Sequence, residues 1–268
     1  MARAPRERGH PPVLKKYGQH FLTDERILGA IVDALAPSPA DTVVEVGAGR
    51  GSLTDILVER SGRVVAVEID RALAKQLGER YARRPNVQVV QGDVLETDLH
   101  AIGGPDFLLI GNVPYYITTP IVFKALEPPI PRRSVFLVQR EVAERMAAKA
   151  DTEAYGALSV NVAAVANAEL VMTVPAGAFH PPPKVESAVV RLTPRATPIV
   201  AQEALPAFRS FVQAAFGLRR KQMLRVLRTV KALSSEKASA LLDQAGIDQT
   251  VRPEVLSPEQ FAALFELL

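Results

Sequence analysis

The sequence predicts a doubly wound α/β domain followed by a small all-helical one. Three observations carry that expectation. Strand-length apolar runs alternate with amphipathic helix-length segments up to about residue 200, three glycines close the first of those runs, and beyond that point there is no strand signal. With 268 residues and 48% hydrophobic content, the chain is long enough to bury the core of a large domain and a smaller one.

Residues 1–14, with "RAPRERGHPP", read as a flexible basic arm. The main domain is expected over 15–200. Its strands are "TVVEV" (42–46), "RVVAVEI" (63–69), "VQVVQ" (87–91), "DFLLIGN" (106–112) and "SVFLVQ" (134–139). Between them, "GSLTDILVERS", "RALAKQLGERYARR" and "TPIVFKALE" carry apolar residues at helical spacing. Strands this uniformly apolar belong in a parallel sheet covered on both faces. "AELVMTVP" (168–175) and "KVESAVVRLTP" (184–194) instead alternate apolar and polar residues, as a half-exposed antiparallel pair at one sheet edge would. From 201 to 268 the pattern is helical: 203–216, 218–230, 235–244 with Gly246 as C-cap, and 258–267 opened by Ser257 and Pro258.

Several functional classes are disfavoured. There are no cysteines, so disulfides, thiolate chemistry and Cys-based metal sites are impossible. His10, His20, His100 and His180 show no ligand spacing, and no metal is expected. No apolar run approaches the roughly 20 residues that span a bilayer, and no apolar segment follows the basic N-terminus, so a cytoplasmic protein without membrane contact is expected. The net charge is +3, but its distribution is uneven. Arg209, Arg219, Arg220, Lys221, Arg225, Arg228 and Lys231 follow one another with no acid between them, and Arg3, Arg6, Arg8, Lys15 and Lys16 face Glu7 alone. Such runs suit a polyanion such as nucleic acid, and they also suit a solvated helix face.

Cofactor signals gather where strands end. In "VVEVGAGRGSLTDIL" an apolar strand turns through Gly47, Gly49 and Gly51 into a helix, the place where α/β sheets bind nucleotides. Taken alone, this turn suits a dinucleotide, an adenosine-containing cofactor or merely a tight loop. Glu68 ends the next strand about 20 residues on, where a carboxylate accepts from both ribose hydroxyls. Asp93, in "VVQGDVLE", is suited to an exocyclic adenine amine. The spacing is G-x-G-x-G without the later glycine of dinucleotide folds, and Glu45 precedes it in position to hold the turn or reach an ammonium. This favours S-adenosylmethionine over NAD.

The fourth strand ends in "GNVPYY". Methylating an adenine amine is a problem of orientation, because the nitrogen lone pair is delocalised into the ring. An amide oxygen from Asn112 and the Val113 carbonyl, accepting both amine hydrogens, would draw that nitrogen toward a tetrahedral, nucleophilic shape. Pro114 stiffens the turn, and Tyr115 offers a face on which a flipped base can stack.

These residues carry a family resemblance. "GNVPYYITTPI" resembles the N-[LVI]-P-Y motif of ribosomal RNA adenine N6-methyltransferases, "KKYGQHFL" (15–22) their "GQNFL" signature, "EVGAGRGSLT" their glycine-rich motif and "AFHPPPKVESAVVRL" (178–192) their F-x-P-x-P-K-V-x-S motif. "FGLRRKQMLRVL" (216–227) and "RPEVLSPEQF" (252–261) resemble the KsgA-type dimethyladenosine transferases in particular. The resemblance implies a Rossmann-like S-adenosylmethionine-dependent methyltransferase fold. It also implies an enzyme that dimethylates two adjacent adenosines in the 3′-terminal hairpin of small-subunit ribosomal RNA, within a pre-30S particle and as a monomer. It places cofactor contacts at His20, Leu22, Gly47, Glu68, Asp93 and Asn112, and makes Phe179 the ring that sandwiches the base against Tyr115. Given such a substrate, the 201–268 domain becomes an RNA-binding one, with Arg219, Arg220 and Lys221 the first candidates for phosphate contact. The sequence departs from the family at His20 and Tyr116, where Asn is frequent. An Erm-type enzyme acting on large-subunit RNA is the nearest alternative. A nonenzymatic factor on the same fold and an NAD-dependent oxidoreductase are more distant ones.

Overall fold

The computed structural model describes residues 19–268. The arm expected at 1–14, and Lys15 and Lys16, lie outside the described residues. The chain divides into two compact units. One runs to Arg140 and takes in Leu170–Leu192; the other comprises Glu141–Glu169 and Thr193–Leu268.

The first unit contains a short ribbon and most of a large sheet. The strands are β1 (Phe21–Leu22), β2 (Thr42–Val46), β3 (Arg63–Glu68), β4 (Val87–Gln91), β5 (Phe107–Asn112), β6 (Arg133–Gln139), β7 (Ala166–Val174), β8 (Phe179–His180) and β9 (Ser187–Pro194). The seven-stranded sheet has the order β4-β3-β2-β5-β6-β9-β7, and β1 pairs separately with β8. β4, β3, β2, β5 and β6 are mutually parallel, in the register Val46↔Val67 and Val46↔Gly111 around the centre, while β9 runs antiparallel to β6. Val43, Val44, Val64, Val65, Ala66, Leu109 and Ile110 are all fully buried. Successive strand residues point to opposite faces, so this burial means that both faces are covered.

The order matters for function. From β2 the chain winds outward through β3 to β4, then crosses back to lay β5 on the other side of β2. The connections leaving β2 and β5 therefore diverge, and a crevice opens outside their carboxyl ends. Asp24 and Asp70 start the helices Glu25–Leu35 and Arg71–Arg80, each carboxylate accepting from two backbone N–H groups of the first turn.

Two expectations change. β9 is not half-exposed: Ser187, Ala188, Val189 and Val190 are fully buried, because β7 rather than β9 is the sheet edge. Segment 141–169, assigned from the sequence pattern to the catalytic domain, groups with the C-terminal helices. Its helix Ala157–Ala163 packs on Leu205–Gly217 and Pro258–Glu266, and Tyr155, 2% exposed, donates its hydroxyl to Leu256 O at 2.8 Å.

The core of that second unit is aromatic, with Phe208 edge-on to Phe265 and Phe216 stacked on Phe261. Ser257 and Gln260 form a reciprocal cap at the start of Pro258–Glu266. The helix expected over 218–230 begins only at Met223. Leu205–Gly217 ends first, Lys221 N donates to Leu218 O at 2.7 Å, and Gln222 is extended. Arg219, Arg220 and Lys221 therefore lie on a turn between helices.

Candidate active site

The glycine turn after β2 is held by the strand beside it. Gly47 N donates to Val67 O at 2.9 Å, and Gly49 N donates to Glu68 Oε2 at 2.7 Å. Gly49 has φ +59, and a Cβ there would lie 3.1 Å from the Phe21 ring. Gly51, at φ +84, starts the helix Ser52–Arg60, and a Cβ there would come within 2.9 Å of Leu77 and of the Tyr81 hydroxyl. Left-handed backbone and lack of room both require glycine at these positions.

Two carboxyls lie beneath the turn. Glu68 is 5% exposed, and its second oxygen, Oε1, accepts from Asp70 N at 2.8 Å. Burial raises its pKa, against the lowering effect of the Asp70 and Gly49 N–H groups. Glu45 is 1% exposed and accepts from Thr54 Oγ1 at 2.5 Å. Burial pushes Glu45 up to about 8, opposed by the Thr54 hydrogen bond and reinforced by the nearby Glu68 charge.

At the end of β5, Asn112 Nδ2 donates to His20 O at 2.9 Å. That bond settles which end of the amide is which: Nδ2 is committed to a carbonyl, and no described residue donates to Oδ1. Val113 N donates to Leu137 O at 3.1 Å, whereas its carbonyl accepts from no described residue. Two acceptors from adjacent residues are left open. Tyr115 is tied by its hydroxyl to Ser187 Oγ at 2.6 Å, and its ring stacks on His20 with centroids 5.8 Å apart and planes 25° apart. Burial raises the Tyr115 phenol's pKa, and the Ser187 bond opposes it. His20 Nδ1 lies 2.8 Å from Pro181 O. A carbonyl only accepts, so Nδ1 carries the proton and donates.

These groups line one open cavity of about 850 Å3, counted out to where it meets solvent. From the sequence-derived candidates the structure brings together His20, Leu22, Gly47, Glu68, Asn112, Val113, Pro114 and Tyr115. Asp93 does not line the cavity; it follows β4, beside β3, and its Oδ1 accepts from Leu95 N at 2.9 Å. Phe179 is 4% exposed and faces the core rather than the cavity, its residue paired with Leu22 across β1 and β8.

Across its whole described length the chain has relatives. The family profile "Ribosomal RNA adenine dimethylase" matches residues 13–268. The chain belongs to that family. "Ribosomal RNA small subunit methyltransferase A" of Alkaliphilus oremlandii is 43% identical over 258 residues, covering 93% of this chain and 90% of the relative. The protein of that name from Geobacillus thermodenitrificans is 42% identical over 264 residues, covering 95% and 90%. A dimethyladenosine transferase from Plasmodium falciparum superposes with TM-score 0.77 at 25% identity, covering 91% of this chain and 96% of that one. The 23S rRNA methyltransferase ErmE superposes with TM-score 0.72 at 31% identity, covering 92% and 99%. The fold is that of the Rossmann-like S-adenosylmethionine-dependent methyltransferases, and the protein is a ribosomal RNA adenine methyltransferase.

Membership in this family does not exhaust the site. Ser187 was not singled out from the sequence, although "KVES" belongs to a quoted motif, and among the described residues it alone is bonded to the Tyr115 hydroxyl. Arg50 was also passed over; it lines the cavity with its guanidinium 4.4 Å from the Phe21 ring centre. In the second unit, Arg219 Nε donates to Glu254 at 2.7 Å, while Arg220 and Lys221 are exposed. Among the described residues no group of His, Asp or Glu is placed to hold a metal, and no helix is long and apolar enough to cross a membrane.

Proposed function

We propose that the protein dimethylates N6 of two adjacent adenosines in the 3′-terminal hairpin of small-subunit ribosomal RNA. The methyl donor is S-adenosylmethionine, and the substrate is a pre-30S particle in the cytoplasm, met by a monomeric enzyme. One observation carries the reading: Asn112 is anchored through Nδ2, leaving its Oδ1 and the adjacent Val113 carbonyl open on the cavity.

The residues fit the cofactor. Each Glu68 oxygen keeps a lone pair beyond its backbone bond, enough to accept from the two ribose hydroxyls. Asp93 Oδ2, which takes no bond from a described residue, is left for the adenine amine. Gly47 brings bare backbone to the cavity, and Leu22 and the His20 backbone close its wall. When bound, S-adenosylmethionine would supply an electrophilic methyl group on a sulfur that serves as the leaving group.

The protein's contribution is orientation. Asn112 Oδ1 and Val113 O each accept one hydrogen of the amine and turn its lone pair toward the methyl group. Pro114 fixes the turn, and Tyr115, moored to Ser187, presents a ring to the target base. No side chain has to remove the proton, since the methylated nitrogen is acidic enough to lose it to water. For the second methyl, one acceptor loses its donor and the other retains it. The burial of Phe179 supports a part in holding the His20–Leu22 wall, reached through the Leu22↔Phe179 pairing.

The turn with Arg219, Arg220 and Lys221 is the proposed phosphate contact of the helical domain. Small-subunit RNA is favoured over the large subunit by the 43% identity to a small-subunit methyltransferase, against 31% to ErmE. Primer extension on both RNAs after incubation with labelled cofactor decides this: stops in the small-subunit 3′ hairpin are expected, and stops confined to large-subunit RNA overturn the reading. Asn112→Ala should bind cofactor in calorimetry and transfer no methyl. Full transfer by that variant would remove Asn112 from the chemistry.

A further inference from the structure

Tyr116 follows the residue that holds the base, yet nothing in the chemistry above uses it. Tyr115–Ile117 is a single turn of 3₁₀ helix, in which consecutive side chains point about 120° apart. Tyr115 is drawn inward by Ser187 and stacked on His20, so Tyr116 points away. It is 58% exposed, the largest value among the exposed large hydrophobic side chains of the described residues. No described residue makes a hydrogen bond or ring contact with it. Even so, it lines the same cavity as Asn112 and Tyr115, at the edge where the cavity meets solvent.

We infer that Tyr116 is a stacking platform for the nucleobase that flanks the one held at Asn112. This rests on the proposed function. A base drawn into the cavity leaves its neighbour without a stacking partner, at the mouth through which the strand must pass. An exposed ring replaces that lost contact for any base, and its hydroxyl remains hydrated while the site is empty. Pro114 begins the turn that carries the ring, so little backbone freedom is lost when a base settles on it. The occupant is a nucleobase rather than another protein because the ring is continuous with the cavity that takes the target adenine. Adjacent target bases sharpen the role. After one is dimethylated, its π-face is intact, so it can move to the platform while its neighbour enters the cavity, and both can be modified in one encounter.

The test compares Tyr116→Phe with Tyr116→Leu on unmethylated small subunits. Phe should match the wild type within about twofold. Leu should raise KM for the particle about tenfold, the affinity lost with one base–aromatic stack, and should leave kcat and calorimetric cofactor affinity unchanged. Leu should also accumulate particles dimethylated at only one adenosine. In RNA carrying 2-aminopurine at the flanking position, binding should quench fluorescence with wild type and Phe but not with Leu. The inference is overturned if Leu behaves as wild type, if Phe fails as Leu does, or if kcat falls at constant KM. Should the wild type methylate only large-subunit RNA, the proposed function fails, and the same comparison on that RNA still decides the role of Tyr116.

Discussion

Replacing Glu45 by Gln should make the fold far less sensitive to alkaline pH. In the folded protein burial holds this carboxyl at about 8, against its ordinary 4.5. Between those two values the folded chain binds one more proton than the unfolded chain, so stability falls as pH rises; the slope is about 1.4 kcal/mol per pH unit. The contribution is fully present below pH 4.5 and is lost by the time pH passes 8. From pH 6 to pH 8 the wild type should therefore lose about 2 kcal/mol more than the variant. Gln keeps the size of Glu and still accepts from Thr54 Oγ1, so the 2.5 Å contact has a neutral replacement. Urea unfolding followed by circular dichroism at the two pH values measures the difference. Glu68, also raised by burial, remains in both proteins and leaves a common residual slope. Equal slopes in wild type and Glu45→Gln would refute the assignment of a buried, neutral Glu45.

Ser187→Ala and Tyr115→Phe each remove one end of the 2.6 Å hydroxyl bond, and each should lower kcat/KM by an amount near that of one hydrogen bond, about 1 kcal/mol. The double variant should be no worse than either single one, and additive losses in steady-state kinetics would show that the two hydroxyls act separately. Reversing charge at Arg220 and Lys221 should weaken RNA binding and flatten the logarithmic salt dependence by about two, with cofactor affinity unchanged in calorimetry. An unaltered salt slope would return these bases to a solvated turn. Arg219 is a poorer choice for that experiment, because Glu254 already shares its charge.

The central strands were legible because a strand buried on both faces has to be apolar throughout, as β2, β3 and β5 are. The glycine turn and Glu68 were legible for a related reason: left-handed backbone demands glycine, and the end of the neighbouring strand lies a fixed stretch of chain away. What escaped depends on pairing between distant segments. β1 and β8 have two residues each, too few for any periodicity, so the inward turn of Phe179 could not be read from its motif. Ser187 meets Tyr115 across 72 positions of sequence. The depth of β9 depends on β7 taking the sheet edge, and the allegiance of 141–169 on a hydroxyl of Tyr155 reaching Leu256. The break before Met223 carries no proline between Leu218 and Gln222.

The amide of Asn112 is steered by the carbonyl of His20, whose ring is bonded to Pro181 and whose neighbours pair with Phe179 and His180. A nascent chain that has emerged only as far as β6 already contains the glycine turn, Glu68 and Asn112. It lacks the clasp that sets the amide. On the proposed function, the acceptor is therefore set late in synthesis, only once the stretch through Pro181 has left the exit tunnel.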